Sequence, residues 1–367
     1  MNSRICFIIP EYNSATPTHF NYIYGLLDAL QKNFDIFLII EKGGKPDFLK
    51  NNNYYVQRFK FLPFRIVENA LIILYARFKG YCDFYIHYSF LSAFNASTTV
   101  KIFGGRTFHW NCGLPWLYKR NFIRNLFERI VYKLITFLVT GTESLRKQYS
   151  FHYCLPLTKI KVMPNLIDCD RFSDAFFARN EMRNRLNISL GSRVILFAHC
   201  LSKRKGADHL PEIIKGFKGE DVILVIAGHG AERGMIESKI KNDGLQDKVR
   251  FLGWIPNAEI QKYFGMADVF ILPSEEEGFP HVVLEAMASS LPVVAFDVGG
   301  VKDIVPPEFS EYIAVAGDIS GFTRRIKKIS GLSEIELKKI KNIGLDWVKN
   351  FDMKLAVEKF KDLLQYR

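Results

Sequence analysis

Acidic side chains cluster in the stretch EEEGFPHVVLEA, residues 275–286, within a strongly apolar part of the sequence. Glu275, Glu276 and Glu277 directly follow the apolar run DVFILPS, and Glu285 lies within a second apolar segment. Carboxylates are rarely buried without a partner, so these glutamates must face either water or a ligand. The chemistry that they suggest is hydrogen bonding to a hydroxylated ligand.

The residues between these glutamates favour an anion at the same place. Pro280 suits the first position of a helix, where free backbone N–H groups and the positive end of the helix dipole attract negative charge. Glu277 and Glu285 could then hold two hydroxylated parts of one ligand, with its phosphates between them. The alternative is that the three consecutive glutamates only complement the helix dipole and that Glu285 lies on the surface.

Composition sets limits on the kind of protein that carries this stretch. The 367 residues are 48% hydrophobic and 24% charged, which is typical of a globular chain of two domains. Most of the net charge of +12 lies in residues 1–170, so the first half should attract anions. The six cysteines form no C-x-x-C pair, which argues against a zinc site or a disulfide framework. With no apolar run long enough to cross a bilayer, we expect a cytoplasmic protein.

Apolar runs that alternate with helical segments predict strands of two parallel sheets. In the first half the predicted strands are residues 4–10, 34–40, 83–89, 99–105 and 135–142. In the second half they are residues 193–200, 222–230, 249–254, 268–274 and 292–297. The predicted fold class is therefore α/β, with two facing Rossmann-like domains. We place the domains at 1–165 and 166–350, with a C-terminal helix, 351–367, that returns to the first domain.

Several segments together resemble the retaining glycosyltransferases of family 4, which have the GT-B architecture of two Rossmann domains. The stretch EEEGFPHVVLEAMASSLPVVAFDVGG is similar to the donor-binding motif of the family, with its two glutamates at Glu277 and Glu285. The segments KIKVMPNLIDCDRF, AGHGAERGMIE and VRFLGWIPNAEIQKYFGMADVFILPS also resemble family motifs. The resemblance is strong over roughly residues 140–305 and weak before them.

The resemblance implies a donor site in the second domain. Glu277 would contact the hydroxyls of the donor sugar and Glu285 the ribose, because ionised acceptors make strong hydrogen bonds. Backbone amides around Gly278 and Phe279 would meet the sugar or the diphosphate. Gly228 and Gly230 would let the backbone approach the nucleotide, although a plain tight turn explains them equally well.

The basic loop AHCLSKRKG departs from the family pattern. Lys205 occupies the position of the lysine that holds the diphosphate, whereas Cys200 stands where the family has arginine. Cysteine cannot form a bidentate contact, so either Arg204, Lys203 or His199 takes that role or the diphosphate is held less tightly. The alternative is that the three basic residues belong to a solvated loop.

The first domain departs further. The family has a pair of glycines in its first loop, where this chain has Pro17, Thr18 and His19. A second loop, residues 103–113, carries Gly104, Gly105, Arg106 and His109, and we match His109 to the family histidine that touches the reacting sugar. The alternative is a loop histidine packed on Trp110. We expect no metal: Asp168 and Asp170 form a D-x-D sequence, but in the interdomain segment.

These observations predict a retaining glycosyltransferase that uses a nucleotide-diphosphate sugar and needs no cofactor. Glu277, Lys205 and His109 are its candidate catalytic residues. The expected acceptor is a lipid-linked saccharide of cell-surface polysaccharide synthesis, with peripheral membrane contact through the basic first domain and no nucleic acid partner. The amphipathic segment 116–135 either lies on anionic membrane or packs on its own sheet. The alternatives are an epimerase-like enzyme on the same architecture and a non-catalytic basic protein that binds membrane or a polyanion.

Overall fold

The computed structural model of this protein describes residues 3–13, 21–49 and 53–365. The chain divides into two compact units. The first unit comprises Met1–Leu166 and Met353–Arg367, and the second comprises Ile167–Asp352. The boundaries proposed from the sequence, 165/166 and 350/351, lie within two residues of this division.

The first unit is built on a seven-stranded sheet in which every pair of neighbouring strands is parallel. Its strands are β1 (Ser3–Ile9), β2 (Phe34–Ile40), β3 (Tyr54–Val56), β4 (Asp83–His87), β5 (Arg106–Trp110), β6 (Phe137–Thr140) and β7 (Ile160–Val162). Their order across the sheet is β3-β2-β1-β4-β5-β6-β7. Residues Ile5 to Ile9 of the interior strand β1 are completely buried, as expected for a parallel sheet covered on both faces.

Helices connect most pairs of successive strands in this unit. They are α1 (Asn21–Leu30), α2 (Leu62–Phe78), α3 (Phe90–Phe103), α4 (Phe122–Leu134) and α5 (Glu143–Tyr153). Helix α3 packs between α2 and α4. Side chains of Ser89, Asn121 and Thr142 cap the amino ends of α3, α4 and α5, which satisfies backbone N–H groups that have no partner within the helix.

The second unit is built on a six-stranded parallel sheet. Its strands are β8 (Arg193–Ala198), β9 (Val222–Ala227), β10 (Val249–Gly253), β11 (Val269–Leu272), β12 (Val293–Phe296) and β13 (Ile313–Ala314), in the order β10-β9-β8-β11-β12-β13. Its helices are α6 (Asp170–Ser173), α7 (Arg179–Arg185), α8 (Leu210–Lys215), α9 (Arg233–Asn242), α10 (Ile260–Met266), α11 (His281–Ala288), α12 (Val301–Ile304), α13 (Ile319–Ser330) and α14 (Glu334–Val348).

The last helix, α15 (Ala356–Gln365), packs on the first unit. The ring of Phe360 lies 5.4 Å from that of Phe7 and 5.6 Å from that of Phe34. The Arg106 side chain donates a 2.8 Å hydrogen bond to the carbonyl of Leu364. The end of the chain thereby covers the sheet of the first unit.

A buried arginine ties the two central strands of the second sheet together. Arg183 is completely buried and donates hydrogen bonds to the carbonyl of Met266 at 3.0 Å and to Asp268 at 2.8 Å. Asp268 in turn accepts the backbone N–H of Val194 at 2.7 Å. Burial alone would raise the pKa of Asp268, but Arg179, Arg183 and this N–H together hold it below its ordinary value. The ionised carboxylate fixes β8 beside β11, and these strands lead into the loops described below.

The structure corrects one predicted strand and adds three. Residues 99–105 were predicted as a strand because Thr99 and Val100 favour β structure, but they form the end of α3 and a turn at Gly104 and Gly105. The strand follows the turn, as β5. Strands β3, β7 and β13, of three, three and two residues, were not predicted, since an apolar run of that length carries no periodic pattern.

Candidate functional site

Loops that follow neighbouring strands of the second sheet meet at its carboxyl edge, where ligands bind in open α/β sheets. The loop after β8 is bonded to the loop after β9, because Leu201 N–H donates to the carbonyl of His229 at 3.0 Å. It is also bonded to the loop after β11, because Glu275 N–H donates to the carbonyl of Arg204 at 3.1 Å. Three segments that the sequence singled out therefore lie side by side.

Two glycines with positive φ make this close approach possible. Gly206 has a φ of +65°, and a Cβ atom there would lie 1.7 Å from the carbonyl oxygen of Pro273. Gly299 has a φ of +54°, and a Cβ atom there would lie 1.6 Å from the carbonyl oxygen of Glu277. Since no side chain fits at either position, glycine is what lets the loops after β8 and β12 close on the end of β11.

Gly228 and Gly230 meet protein backbone in this structure. A Cβ atom on Gly228 would lie 1.9 Å from the carbonyl oxygen of His199, and one on Gly230 would lie 2.3 Å from that of Leu201. The tight approach between the loops after β8 and β9 therefore accounts for both glycines. A contact with a nucleotide at these residues stays a prediction.

The central feature of the edge is a buried ion pair between Lys205 and Glu277. The two side chains are 6% and 4% exposed, and Lys205 Nζ lies 2.7 Å from Glu277 Oε1. His199 Nε2 lies 4.0 Å from the same carboxylate oxygen. Removing two charges from water is costly, and each of these charges is tolerated because the other lies beside it. The structure thus brings together two of the three predicted catalytic residues.

The remaining charged residues of these loops lie closer to solvent. Arg204 is 52% exposed and its Nη1 is 3.5 Å from Glu276 Oε1. Glu275, 55% exposed, lies 3.3 Å from Nε2 of His209. Exposed pairs of this kind contribute little to stability, so Arg204 is free to exchange its carboxylate partner for a ligand anion at small cost.

Helix α11 begins at His281, with Pro280 preceding its first residue rather than occupying it as predicted. Phe279 is buried, with its ring 6.1 Å from that of Phe351, and Gly278 is partly exposed beside it. No side chain caps the amino end of α11, and the positive end of its helix dipole favours an anion there.

Glu285 lies on α11 and has an unusual acidity. Burial raises its pKa to about 7, and the positive charge of Arg171 only partly opposes this effect. Near neutral pH this carboxyl group can therefore either donate or accept a hydrogen bond. Both forms suit a hydroxyl group, which is itself a donor and an acceptor.

These residues form a set that can hold an anionic and hydroxylated ligand. Lys205 and the start of α11 supply positive charge for an anion, and Glu277 and Glu285 supply acceptors for hydroxyl groups. All belong to the second unit. Each predicted donor-binding residue lies on one of the connected loops or on α11.

His109 does not lie in a loop, as was predicted, but in β5. Its side chain is completely buried, with its ring 5.1 Å from Phe90 and 6.0 Å from Tyr132, and burial lowers its pKa to about 3. The imidazole is therefore neutral at physiological pH, and neither ring nitrogen has a hydrogen-bond partner among the described residues. His109 offers no surface to a ligand here, and its catalytic role stays a prediction. The alternative for His109 was a loop histidine packed on Trp110; the ring contacts of this strand histidine are with Phe90 and Tyr132.

A small cavity of the first unit contains residues that the sequence analysis missed. Its lining includes His87, Trp110 and Asn165, and the amide oxygen of Asn165 has no hydrogen-bond partner within the described ranges. His87 ends β4, next to Tyr88, which has a φ of +58°. The predicted strand 83–89 already contained both residues, so attention to its carboxyl end would have found them.

Two further predictions concern metal and the first loop. Within the described part of the chain, no group of three or more His, Cys, Asp and Glu side chains is arranged to hold a metal ion. Asp168 accepts a hydrogen bond from Arg171 N–H at 3.4 Å, and Asp170 begins α6. Pro17, Thr18 and His19 lie outside the described residues. Among the residues described, none of the helices combines the length and the apolar character needed to span a bilayer.

Comparison with known proteins identifies related chains. Residues 178–344 match the family described as glycosyl transferases group 1. An uncharacterized glycosyltransferase of Methanocaldococcus jannaschii is 32% identical over 177 residues, which cover 47% of this chain and 45% of that protein. The UDP-Gal:alpha-D-GlcNAc-diphosphoundecaprenol alpha-1,3-galactosyltransferase of Escherichia coli is 27% identical over 210 residues, covering 56% of this chain and 54% of that one. This chain thus spans about half the length of the curated relatives that it matches.

A solved structure extends the likeness to the whole chain. The Anabaena protein HepE, in complex with UDP and glucose, superposes with a TM-score of 0.81 over 100% of both chains at 16% identity. At that identity the likeness concerns the fold. It confirms the predicted α/β class and the two-domain architecture of the GT-B type.

Proposed function

We propose that this chain, whose residues 178–344 match the glycosyl transferases group 1 family, moves a sugar from a nucleotide-diphosphate sugar to an acceptor with retention of anomeric configuration. The observation that carries the proposal is the buried pair of Lys205 and Glu277 at the carboxyl edge of the second sheet. A buried cation beside a buried carboxylate, with the positive end of the α11 dipole in the same part of the fold, suits a ligand that is both phosphorylated and hydroxylated.

Donor binding would exchange the partners of this pair. The diphosphate would take Glu277's place beside Lys205, and the released carboxylate would accept hydrogen bonds from hydroxyls of the donor sugar. Neither charge is left alone in this exchange, which matters because an isolated buried charge is costly. Glu285 would hold the ribose, and Arg204, half exposed, would supply a second positive charge for the phosphates.

The transfer step would follow from this arrangement. The acceptor hydroxyl would attack the anomeric carbon on the face from which the diphosphate departs, so that one C–O bond breaks as another forms with the same configuration. The departing phosphate oxygen would accept the proton of the hydroxyl. Lys205 and the amino end of α11 would stabilise the charge on the leaving nucleoside diphosphate, so no divalent ion is required for that purpose.

For the acceptor we propose a lipid-linked saccharide of cell-surface polysaccharide synthesis, reached by a cytoplasmic protein that touches the membrane peripherally. Two observations support this choice. One similar protein is named for transfer to a diphosphoundecaprenol-linked sugar. The first half of the chain also carries most of the net positive charge, which attracts lipid headgroups and diphosphates.

Thermal shift with UDP-, GDP- and ADP-sugars tests donor binding, since a ligand that binds only the folded state raises the melting temperature. The matching donor is then incubated with lipid-linked acceptors, and the anomeric configuration of the product is determined by NMR. We expect Glu277→Ala to abolish transfer and Glu308→Ala, which changes an exposed acidic residue in the short helix 307–312, to leave it intact. Failure of every sugar nucleotide to raise the melting temperature, together with tight polyanion binding that Glu277→Ala does not change, would refute the proposal.

A further inference from the structure

Helix α2 turns an apolar stripe toward solvent. Six large apolar side chains of α2 are at least half exposed: Leu62 (59%), Phe64 (58%), Val67 (56%), Leu71 (61%), Tyr75 (50%) and Phe78 (71%). The last five recur at intervals of three or four residues, so they share one face of the helix. The buried residues of α2 are Glu68, Asn69, Ile73 and Ala76. A helix in a water-soluble protein ordinarily has the opposite arrangement, with its apolar face inward.

The polar residues of α2 are satisfied within the protein. Glu68 accepts hydrogen bonds from the Tyr55 hydroxyl at 2.8 Å and from the backbone N–H of Arg58 at 2.9 Å. Asn69 donates to the Ser92 hydroxyl at 2.8 Å. These contacts fix the rotation of α2 about its axis, so the outward position of its apolar stripe is part of the fold.

The apolar surface continues onto the neighbouring helices. At the end of α3, Ile102 is 73% and Phe103 is 41% exposed, and the ring of Phe103 lies 5.2 Å from that of Phe78. On α4 the exposed apolar residues are Phe122 (77%), Ile123 (77%), Leu126 (47%) and Ile130 (40%). We call the exposed apolar residues of α2, α3 and α4 the outer apolar surface. Single exposed apolar residues are ordinary, but a cluster on three packed helices marks an interaction site.

The charges around the outer apolar surface are positive. In residues 58–79 and 101–133 the acidic residues are Glu68 and Glu128, and both are buried. The exposed basic residues of the same segments are Arg58, Lys60, Lys79, Lys101, Lys119, Arg124, Arg129 and Lys133. Apolar side chains bordered by lysine and arginine match an interface between acyl chains and anionic headgroups.

We propose that the outer apolar surface docks on an anionic phospholipid bilayer. The apolar side chains would enter the boundary of the acyl chains, and the surrounding lysines and arginines would meet headgroup phosphates. A second copy of the chain is a poorer partner, since it would bring the same positive charge against the surface. The inference extends the lipid-linked acceptor of the proposed function, and it assigns docking to α2 and α3 as well as to α4, the helix that the sequence suggested.

The test is flotation of the purified full-length chain with vesicles of phosphatidylcholine alone and with vesicles that also contain phosphatidylglycerol. The variant is Phe64→Ser/Leu71→Ser/Phe78→Ser, and the matched control is Phe177→Ser/Ile335→Ser, which removes two side chains that are each 83% exposed in the second unit. We expect binding to the anionic vesicles that weakens as salt increases, a loss of at least about tenfold in the variant, and no loss in the control.

Circular dichroism and the response to the donor nucleotide show whether each variant is folded. Wild-type protein that does not float with anionic vesicles at low salt would overturn the inference. So would equal loss in the variant and the control, or dimerisation that the variant abolishes without any vesicle binding. Because the nucleotide response is measured on the same samples, failure of lipid docking is distinguishable from failure of the proposed transferase function.

Discussion

Replacing Lys205 by methionine should separate the structural and ligand-binding roles of its ion pair. The substitution keeps the length of the side chain but leaves the Glu277 carboxylate 4% exposed and without its partner at 2.7 Å. Removing one member of a buried pair typically costs about 3–5 kcal/mol, because the other charge remains uncompensated. We expect the lower end of this range, since His199 lies 4.0 Å from the same carboxylate and can replace part of the interaction.

This cost is large enough to measure. In domains of roughly 150–250 residues each kcal/mol shifts the melting temperature by about 2–4 °C, so a cost of about 3 kcal/mol should lower the transition of the second unit by about 6–12 °C. Lys203→Met is the matched control, because Lys203 is exposed on the same turn and its loss should change stability by about 0.5 kcal/mol at most. The double variant Lys205→Met/Glu277→Leu leaves no lone charge and should recover most of the lost stability.

The ligand response provides the second measurement. A nucleoside diphosphate at about a hundred times its dissociation constant should stabilise the wild-type protein by about 2.7 kcal/mol. We expect that response to disappear in Lys205→Met and to remain absent in the double variant, although the latter is stable. If Lys205→Met and Lys203→Met have the same melting temperature, Lys205 and Glu277 do not form the buried ion pair described here. If the double variant keeps the full nucleotide response, Lys205 does not hold the diphosphate.

Two further predictions concern the same edge of the sheet. Because the folded-state pKa of Glu285, about 7, exceeds its ordinary value of 4.5, this group stabilises the fold below pH 4.5 and that contribution is lost as the pH rises through 7. Glu285→Gln should therefore gain about 3 kcal/mol over wild type in urea denaturation at pH 8 and less than about 1 kcal/mol at pH 5, and an equal gain at both pH values would contradict this. Gly206 and Gly244 both have a φ of +65°, but a Cβ atom on Gly244 meets nothing within 4 Å. Gly244→Ala should cost about 1–2 kcal/mol and Gly206→Ala clearly more, since its Cβ would strike the backbone of Pro273; similar melting temperatures for the two would show that the turn can shift.

The second unit was largely predictable from sequence because its strands are buried on both faces. Such strands are short continuous apolar runs, as in VILVIA and VFIL, and turn residues bound them clearly. All five strands predicted there are confirmed. The sixth, β13, has two residues and carries too little apolar sequence to stand out from a loop.

The contact between Lys205 and Glu277 was suggested only indirectly. The two residues are 72 positions apart, and the resemblance assigned both to the donor without indicating that they would bind each other. Their contact depends on the turn at Gly206 and on the seating of that turn against Pro273. Both features depend on contacts between segments that are distant in the sequence, so no local sequence pattern predicts them. The resemblance therefore predicted which residues form the site, while the geometry of their pairing came from the fold.

Helix α2 illustrates a different limit of sequence analysis. The apolar residues of α2 recur at helical spacing, but this spacing does not say which face of the helix is turned inward, and the usual rule would bury Phe64, Leu71 and Phe78. The structure buries Glu68 and Asn69 instead, because the Tyr55 hydroxyl, the N–H of Arg58 and Ser92 complete their hydrogen bonds.

The reversed orientation of α2 gives its folded unit no hydrophobic stabilisation from the stripe that it exposes. The sequence keeps five large apolar side chains in water on one face of α2 and surrounds them with basic residues. Contact with a lipid bilayer explains this arrangement better than the stability of the isolated unit does. The basic residues of the first half border the surface that we assign to lipid, where they would contact headgroup phosphates.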